Sequence, residues 1–422
     1  MKKVLALILA LSMLMTMAFA AGALAESRGS IEVAVTYTGD QLQVFKGLME
    51  KFTEETGIEV VIDEYGDDYE ATMKTRMAAN TMPDVFQTHG WSLLRYVEYL
   101  MPLNDQPWFE DYDESALGVI ADENGTVYVL MLNELVNCTL VNRTVCEEAG
   151  VDPYSINTWD DLLAACEKIK AIGKTPIGSN SGSGIFANIA GTFVTYEGES
   201  NPEPEAQLNG TYDWTGYQAS LMAFVKTSVE AGYWAEDVLT RSNDDMTQKF
   251  AEGSSAFMLG NDPGFLISAL TLNPDGDFII LPNFASAEGG TQEVNIGEGD
   301  TFGIWNETPN EELAKELLIF LAKPENASEI NAITGKVACL KSSMAMDTGY
   351  GLQKLTEMQE MCADRNIFYD NLWDRKYMPS GMWGIFGNAC NDFFGDLSDE
   401  NSDAVIEYLR ENYNDLYEAA NG

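Results

Sequence analysis

Between Ile31 and Gln87 apolar and amphipathic stretches take turns, and that alternation restricts the chain to a small set of folds. Ile31 to Thr38 alternates as a strand. Asp40 to Thr56 then sets Leu42, Phe45, Leu48, Met49 and Phe52 on one helical face, and Gly57 stops the helix. A strand over Ile58 to Asp63 follows, then a helix from Tyr69 to Ala79 and a strand from Asp84 to Gln87. Strand, helix, strand, helix, strand predicts an α/β fold with a mostly parallel sheet covered by helices, and ligands of such sheets sit beyond the carboxyl ends of the strands. Those ends are Tyr37-Thr38-Gly39-Asp40 and Thr88-His89-Gly90-Trp91.

Ahead of this pattern, residues 1–25 open with Lys2-Lys3, run apolar from Val4 to Phe19 and close on Ala23-Leu24-Ala25. That is the pattern of a secretory signal peptide, too short for the roughly 20 residues a spanning helix needs. Cleavage is expected near Ala25, with Ala18-Phe19-Ala20 as a second candidate site. No cysteine follows either site, so the chain lacks a lipobox cysteine and is expected to be periplasmic or extracellular at the cell surface. Removal of the leader leaves about 400 residues, enough for two or three compact units.

Downstream, Asp122-Glu123-Asn124-Gly125 carries a hairpin turn signal before a strand at Thr126 to Leu132, and a calcium loop is the sharper reading that the missing ligand positions disfavour. A second strand spans about Cys138 to Val141. Thr158 with Asp161 resembles a capping box opening a helix from Trp159 to Ile172. Further helices are expected at 215–231, 243–252, 262–271, 310–322, 325–333, 349–364, 380–395 and 402–419, with strands near 255–259, 277–281 and 301–305. No repeat or long linker interrupts this order.

Several function classes fall away on composition. With 24 basic and 67 acidic residues the formal charge is -43, which repels nucleic acid and anionic membranes and suits a solvated exported surface. The six cysteines, at 138, 146, 166, 339, 362 and 390, show no metal-ligand spacing. Cys166 reads as a small buried hydrophobe, while for Cys138 and Cys146 a bridge and two thiols both stay open. No metal and no cofactor is expected. One histidine, His89, is too little for a Ser/His/Asp arrangement, and Gly178-Ser179-Asn180-Ser181-Gly182 has asparagine where a nucleophile elbow needs its nucleophile. Paired carboxylates of a glycosidase are the one enzyme signature left, and nothing indicates that any two converge. The chain is read as a binding protein, not an enzyme.

Aromatic residues beside carboxylates point to sugar, whose C–H faces stack on indole while its hydroxyls hydrogen-bond to Asp, Glu, Asn and His. Trp91, Trp214, Trp305 and Trp383 lie in such company. Core packing is the competing reading, preferred for Trp159, Trp234 and Trp305. For Trp91 and Trp383, flanked by glycine and polar residues, the ligand reading is preferred.

The ordered landmarks Phe52-Thr53-Glu54-Glu55-Thr56-Gly57-Ile58-Glu59-Val60, Met82-Pro83-Asp84-Val85-Phe86-Gln87-Thr88-His89-Gly90-Trp91, Thr158-Trp159-Asp160-Asp161-Leu162, Phe250-Ala251-Glu252-Gly253 and Thr308-Pro309-Asn310-Glu311-Glu312-Leu313-Ala314-Lys315-Glu316 resemble the extracellular solute-binding proteins of ATP-driven importers, in the sugar-binding group that includes maltose-binding protein. The resemblance covers nearly all of the mature chain. It implies a periplasmic-binding-protein-like fold: two α/β lobes, a hinge, and a ligand cleft between them that closes and is then recognised by the membrane subunits of an ABC permease. The crossings are expected near 133–138, 282–288 and 335–340, giving an N-terminal lobe of 26–136 plus 286–335 and a C-terminal lobe of 137–284 plus 338–422. A monomer is expected.

Position by position, the resemblance implies ligand contacts from Thr38, Gly39, Asp40, Tyr69, Thr88, His89 and Trp91 in the first lobe, and from Asn133 and Asn137 at the hinge. Asn261, Asp262 and Trp383 would contribute from the second lobe, with Glu298 and Asp300 in a glycine-rich turn facing the cleft. Two departures stand out. Gly260-Asn261-Asp262-Pro263 replaces a stacking tryptophan common in sugar-binding relatives, and Leu135 stands where an acidic residue is usual, with Glu134 one step earlier on the opposite strand face. The ligand implied is a mono- or oligosaccharide; a polyamine, peptide or other polar solute on the same fold is the alternative, and a secreted carbohydrate-active enzyme a third.

Overall fold

The computed structural model describes residues 27–88, 96–112, 114–122, 124–195, 203–346 and 349–421. The expected leader with its cleavage sites, and two expected ligand residues, His89 and Trp91, lie outside the described residues.

Twelve strands are described: β1 (Gly29–Val35), β2 (Ile58–Glu64), β3 (Val85–Gln87), β4 (Val129–Met131), β5 (Asn133–Asn142), β6 (Thr175–Ile177), β7 (Ser255–Asn261), β8 (Phe278–Leu281), β9 (Gln292–Glu298), β10 (Thr301–Ile304), β11 (Val337–Ala338) and β12 (Ile367–Asn371). The first sheet runs in the order β2-β1-β3-β10-β4. Its first three strands are parallel, as the opening alternation predicts, and β10 joins them antiparallel. The second sheet runs β12-β9-β5-β7-β6, with β8 and β11 also paired to β5. The protein is thus built of two α/β lobes.

The helix Gly39–Thr56 buries the five residues its spacing singles out, and Gly57, at φ 74°, ends it by turning into the left-handed region. Full burial of a side chain such as Phe45 or Phe52 stabilises by about 1.5–3 kcal/mol. Phe45 stacks on Phe302 of β10 with ring centroids 5.9 Å apart, so the late strand is held by an early helix as well as by its ladder. Asp84 adds a polar tie: Oδ2 accepts from Glu32 N at 2.8 Å, and Oδ1 accepts from the Thr308 hydroxyl and from Asn310 Nδ2 at 3.2 Å. Two of the distant sequence landmarks therefore meet at one carboxylate.

The second core surrounds Trp159, Trp214 and Trp373, all buried. The capping box at Thr158 and Asp161 is present. Trp214 packs edge-on against Tyr217 and Tyr413, so the carbohydrate company it keeps in sequence is a core environment in the fold. Asp122 Oδ1 accepts from Asn124 N and Thr126 N, each at 2.8 Å, which makes the Asn-Gly segment a turn. All six cysteines are buried free thiols, and Cys138 and Cys146 form no bridge.

Where the chain passes between lobes differs from expectation at two points, one of them being that Cys339 and Leu340 are buried in the first core and Lys341 Nζ donates to Tyr112 O of the first lobe. The segment from 286 onward does not enter the first lobe directly: β9 pairs with both β5 and β12, and Val294 is buried in the second core. The change of sheet falls at Gly299-Asp300, immediately before β10. A strand with two hydrogen-bonded neighbours in the second sheet cannot also extend the first, which is why the passage lies later than 282–288. β5 itself is divided, pairing through Glu134–Asn137 with β9 and through Cys138–Asn142 with β7 and β8.

Candidate functional site

Two passages between the lobes lie side by side and carry a buried polar cluster. Asn133, at the start of β5, donates through Nδ2 to Asp300 Oδ2 and to Asn331 Oδ1, both at 2.8 Å, and its Oδ1 accepts from Asp300 N at 2.7 Å. Lys336 Nζ lies 3.0 Å from Asp300 Oδ1. Gly299 permits this approach, since a Cβ there would sit 2.5 Å from the Asn133 carbonyl oxygen and closer still to its side chain. Asp300 and Lys336 line a cavity of about 100 Å³ with Tyr37, Gln41, Gln87 and Thr301.

The first lobe meets this cavity at the carboxyl ends of β1 and β3, where the alternation places a ligand. Gln87 Oε1 accepts from Thr36 N at 2.6 Å and from its hydroxyl at 2.8 Å, and so orients the edge of the cavity. The Tyr37 hydroxyl is buried beside the Asp300 carboxylate and the Gln87 side chain. Burial and the Asp300 carboxylate keep this phenol well above its ordinary range, and it stays protonated. Thr88 shares a 2.8 Å hydrogen bond with Thr301 across the β3–β10 pair. Thr38, Gly39 and Asp40 form the exposed entry to the first helix, with Gly39 at φ 52°.

From the second lobe, Asp262 follows β7. Its Oδ1 accepts from Gly264 N at 2.6 Å, while Oδ2 is enclosed with no close hydrogen bond among the described residues. Burial pushes this carboxyl up to about 6, although Lys336 within electrostatic reach pulls the other way. Glu298, at the end of β9, is pushed up to about 7 by burial, against the pull of Arg375. Arg375 lies over the Trp383 ring, its guanidinium carbon 5.4 Å from the ring centroid. Trp383 is 38 % exposed, and its carbonyl accepts from the Ser183 hydroxyl at 2.8 Å.

Of the expected ligand residues, Asn133, Asp262 and Asp300 are brought together around Lys336, and Glu298 and Trp383 are linked through Arg375. Others are used within the fold. Tyr69 is buried in the first core, its hydroxyl donating to the Gln87 carbonyl, because the helix Tyr69–Ala79 turns that face inward. Asn137 is buried in β5 opposite Asn295, and Asn261 Nδ2 turns back to donate to Leu259 O at 2.7 Å. Tyr37 belongs to the strand end that the alternation marks, whereas Gln87, Lys336 and Arg375 were not expected. For the two cations, the available signal was scarcity: few positive charges exist in a chain of -43. Among the described residues no group of His, Cys, Asp and Glu is arranged to hold a metal, and no helix is long and apolar enough to cross a membrane.

The family model described as bacterial extracellular solute-binding protein matches residues 37–328. The melibiose/raffinose/stachyose-binding protein of Bacillus subtilis is 28 % identical over 371 residues, covering 85 % of this chain and 84 % of that protein. A sugar transporter protein from Bacillus licheniformis, solved in complex with stachyose, superposes with a TM-score of 0.77 at 26 % identity over 92 % of this chain and all of the other. A putative binding protein from Bacillus subtilis in an open conformation superposes with a TM-score of 0.81 at 24 % identity over 94 % of this chain and 99 % of its own, a likeness of fold.

Proposed function

The chain belongs to the bacterial extracellular solute-binding proteins, and on that premise we propose that it is the receptor of an ABC importer for a neutral oligosaccharide of the melibiose, raffinose and stachyose kind. The carrying observation is the interlobe arrangement itself. A partly exposed indole, Trp383, stands on one lobe under Arg375, which lies within electrostatic reach of the Glu298 carboxyl, and a polar cavity with Tyr37 and Asp300, the latter within electrostatic reach of Asp262, lies at the passage to the other.

Stacking on Trp383 would supply apolar contact with the sugar ring. Asp262 Oδ2, which makes no close hydrogen bond among the described residues, would be an acceptor for a sugar hydroxyl. Desolvation of these groups as the lobes approach would strengthen each hydrogen bond, so closure and capture are one equilibrium. The closed form is the one an ABC permease would engage. The exported chain would act as a monomer, without catalysis, since the relatives are binding proteins. Of the implied contacts, Thr38, Gly39, Asp40, Thr88, Asn133, Asp262, Glu298, Asp300 and Trp383 remain assigned to the cleft.

A second reading follows from the same carboxylate oxygen, which could take an amine of a polyamine. Isothermal titration of the purified mature chain with melibiose, raffinose, stachyose and spermidine separates the two. Saturable heat with raffinose or stachyose and none with spermidine is expected. Silence across all three sugars overturns the proposal.

A further inference from the structure

Arg375 is charged and largely enclosed, lies over the Trp383 ring and is within electrostatic reach of Glu298, two residues from different parts of the chain. It follows β12 in the short helix Trp373–Lys376, whereas Glu298 ends β9 and Trp383 opens the helix Met382–Gly395. Nη1 donates to Asp374 Oδ2, and Nε is enclosed without an acceptor among the described residues. Burial lowers this guanidinium to about 10, with Glu298 opposing the fall, so it is still a cation at neutral pH. A buried cation that keeps an unused donor is not arranged for its own stability.

Its second contact is with indole. The guanidinium lies over the Trp383 ring at 5.4 Å, a cation–π distance, and covers one of its faces. Ser183 holds the Trp383 carbonyl at 2.8 Å, and a Cβ at Gly387 would meet the Ser183 hydroxyl at 2.9 Å, so the backbone of this helix start is closely held. The backbone is therefore set by Ser183, and the ring's orientation by Arg375.

We propose that Arg375 is a positioning residue that joins the Trp383 platform to the Glu298 carboxylate, so that stacking and hydrogen bonding are presented to the ligand as one preset unit. This rests on the sugar-receptor reading for its purpose but not for its geometry. The planar guanidinium holds the ring before ligand arrives, which reduces the ordering that binding would otherwise require. The same cation favours the ionised form of Glu298 against burial. Glu134 stands opposite Glu298 in the β5–β9 pair and Asp300 follows two residues on, while what raises Glu298 is its burial and Arg375 is the cation that counters it.

The test compares wild type with Arg375→Lys, Arg375→Met and the double variant R375M/D374N, the last because Arg375→Met alone strands the buried Asp374. In the ligand-free protein, acrylamide quenching of Trp383 is read as the difference between each background and the same background carrying Trp383→Phe. Quenching of Trp383 at least twofold greater in Arg375→Met or R375M/D374N is expected, with Arg375→Lys between them and wild type. With raffinose as probe, affinity falls at least tenfold in R375M/D374N, and the pH at which binding changes moves upward relative to wild type. Arg375→Lys keeps the wild-type pH profile while losing affinity. Unchanged Trp383 quenching in the ligand-free double variant overturns the proposal, and so does an unmoved pH profile. If wild type ignores raffinose, the sugar reading fails, while the ligand-free quenching still decides the role of Arg375.

Discussion

Lys336 Nζ lies 3.0 Å from Asp300 Oδ1, and each residue stands at a point where the chain passes between the lobes. Asp300 is 5 % exposed at its side chain, so loss of Lys336 leaves a buried carboxylate without its cation. Lys336→Met is expected to lower stability in urea by about 2–4 kcal/mol, below the full cost for a deeply buried pair because Lys336 is itself partly exposed. Lys315→Met, which removes the Glu311 pair on an outer helix, costs under about 1 kcal/mol. Equal losses in the two variants would contradict a special role for the passage.

A pH dependence follows from Asp262 and Glu298. Both carboxyls sit above their ordinary range, so the folded protein holds these protons more tightly than the unfolded chain. Their contribution to stability is complete below about pH 4 and is lost as pH rises through about 6 for Asp262 and about 7 for Glu298. Asp262→Asn keeps an acceptor for Gly264 N and abolishes this loss. Its stability relative to wild type should improve by on the order of 2–3 kcal/mol between pH 4 and pH 8, measured by denaturant titration at each pH. A difference that does not vary with pH would rule out the burial of this carboxyl.

Trp383→Ala is expected to weaken raffinose or stachyose binding at least tenfold, about 1.4 kcal/mol or more, as calorimetry would read it. Its melting temperature should stay within a few degrees of wild type, because the side chain is 38 % exposed and the second core does not rest on it. Loss of stability without loss of affinity would place Trp383 in the structure rather than the site.

Gly299→Ala would drive a methyl group into the carbonyl and side chain of Asn133. The expected cost is about 1–3 kcal/mol in thermal or urea unfolding, the range for an overpacked position. Gly118→Ala, on an exposed helical position where no atom lies within 4 Å of the new carbon and where φ, as at Gly299, is not positive, serves as the control for the added methyl group alone. The excess of the first loss over the second measures the close approach of the passages.

Expression of the full chain in a bacterial host should release a mature protein beginning at Glu26, or at Ala21 if the earlier site is used. Intact-mass measurement of the extracytoplasmic fraction reads this directly. Retention of Met1 in that fraction would show that the leader is not removed.

The two-layer alternation, the helix faces and the capping box were legible in the sequence because each is set by residues within a few positions of one another. Leu42, Phe45, Leu48, Met49 and Phe52 share a helical stripe, and Thr158 and Asp161 reach each other's backbone within one turn. β9 was not legible, because Gln292, Glu293 and Asn295 are polar and yet buried, an inversion of the apolar pattern that marks a strand. Missing β9 displaced the expected passage between lobes. The site divides the same way: Trp383 could be named from its local company, and Asp262, Glu298 and Asp300 from the family resemblance. Lys336 and Arg375 could not, nor could the diversion of Tyr69 into the first core. The sequence by itself determined the elements, the α/β class and a set of chemically suitable residues. Only the tertiary structure decided which of them meet and which are charged, because a Coulombic partner is chosen by distance in space and a pKa by the water that packing removes.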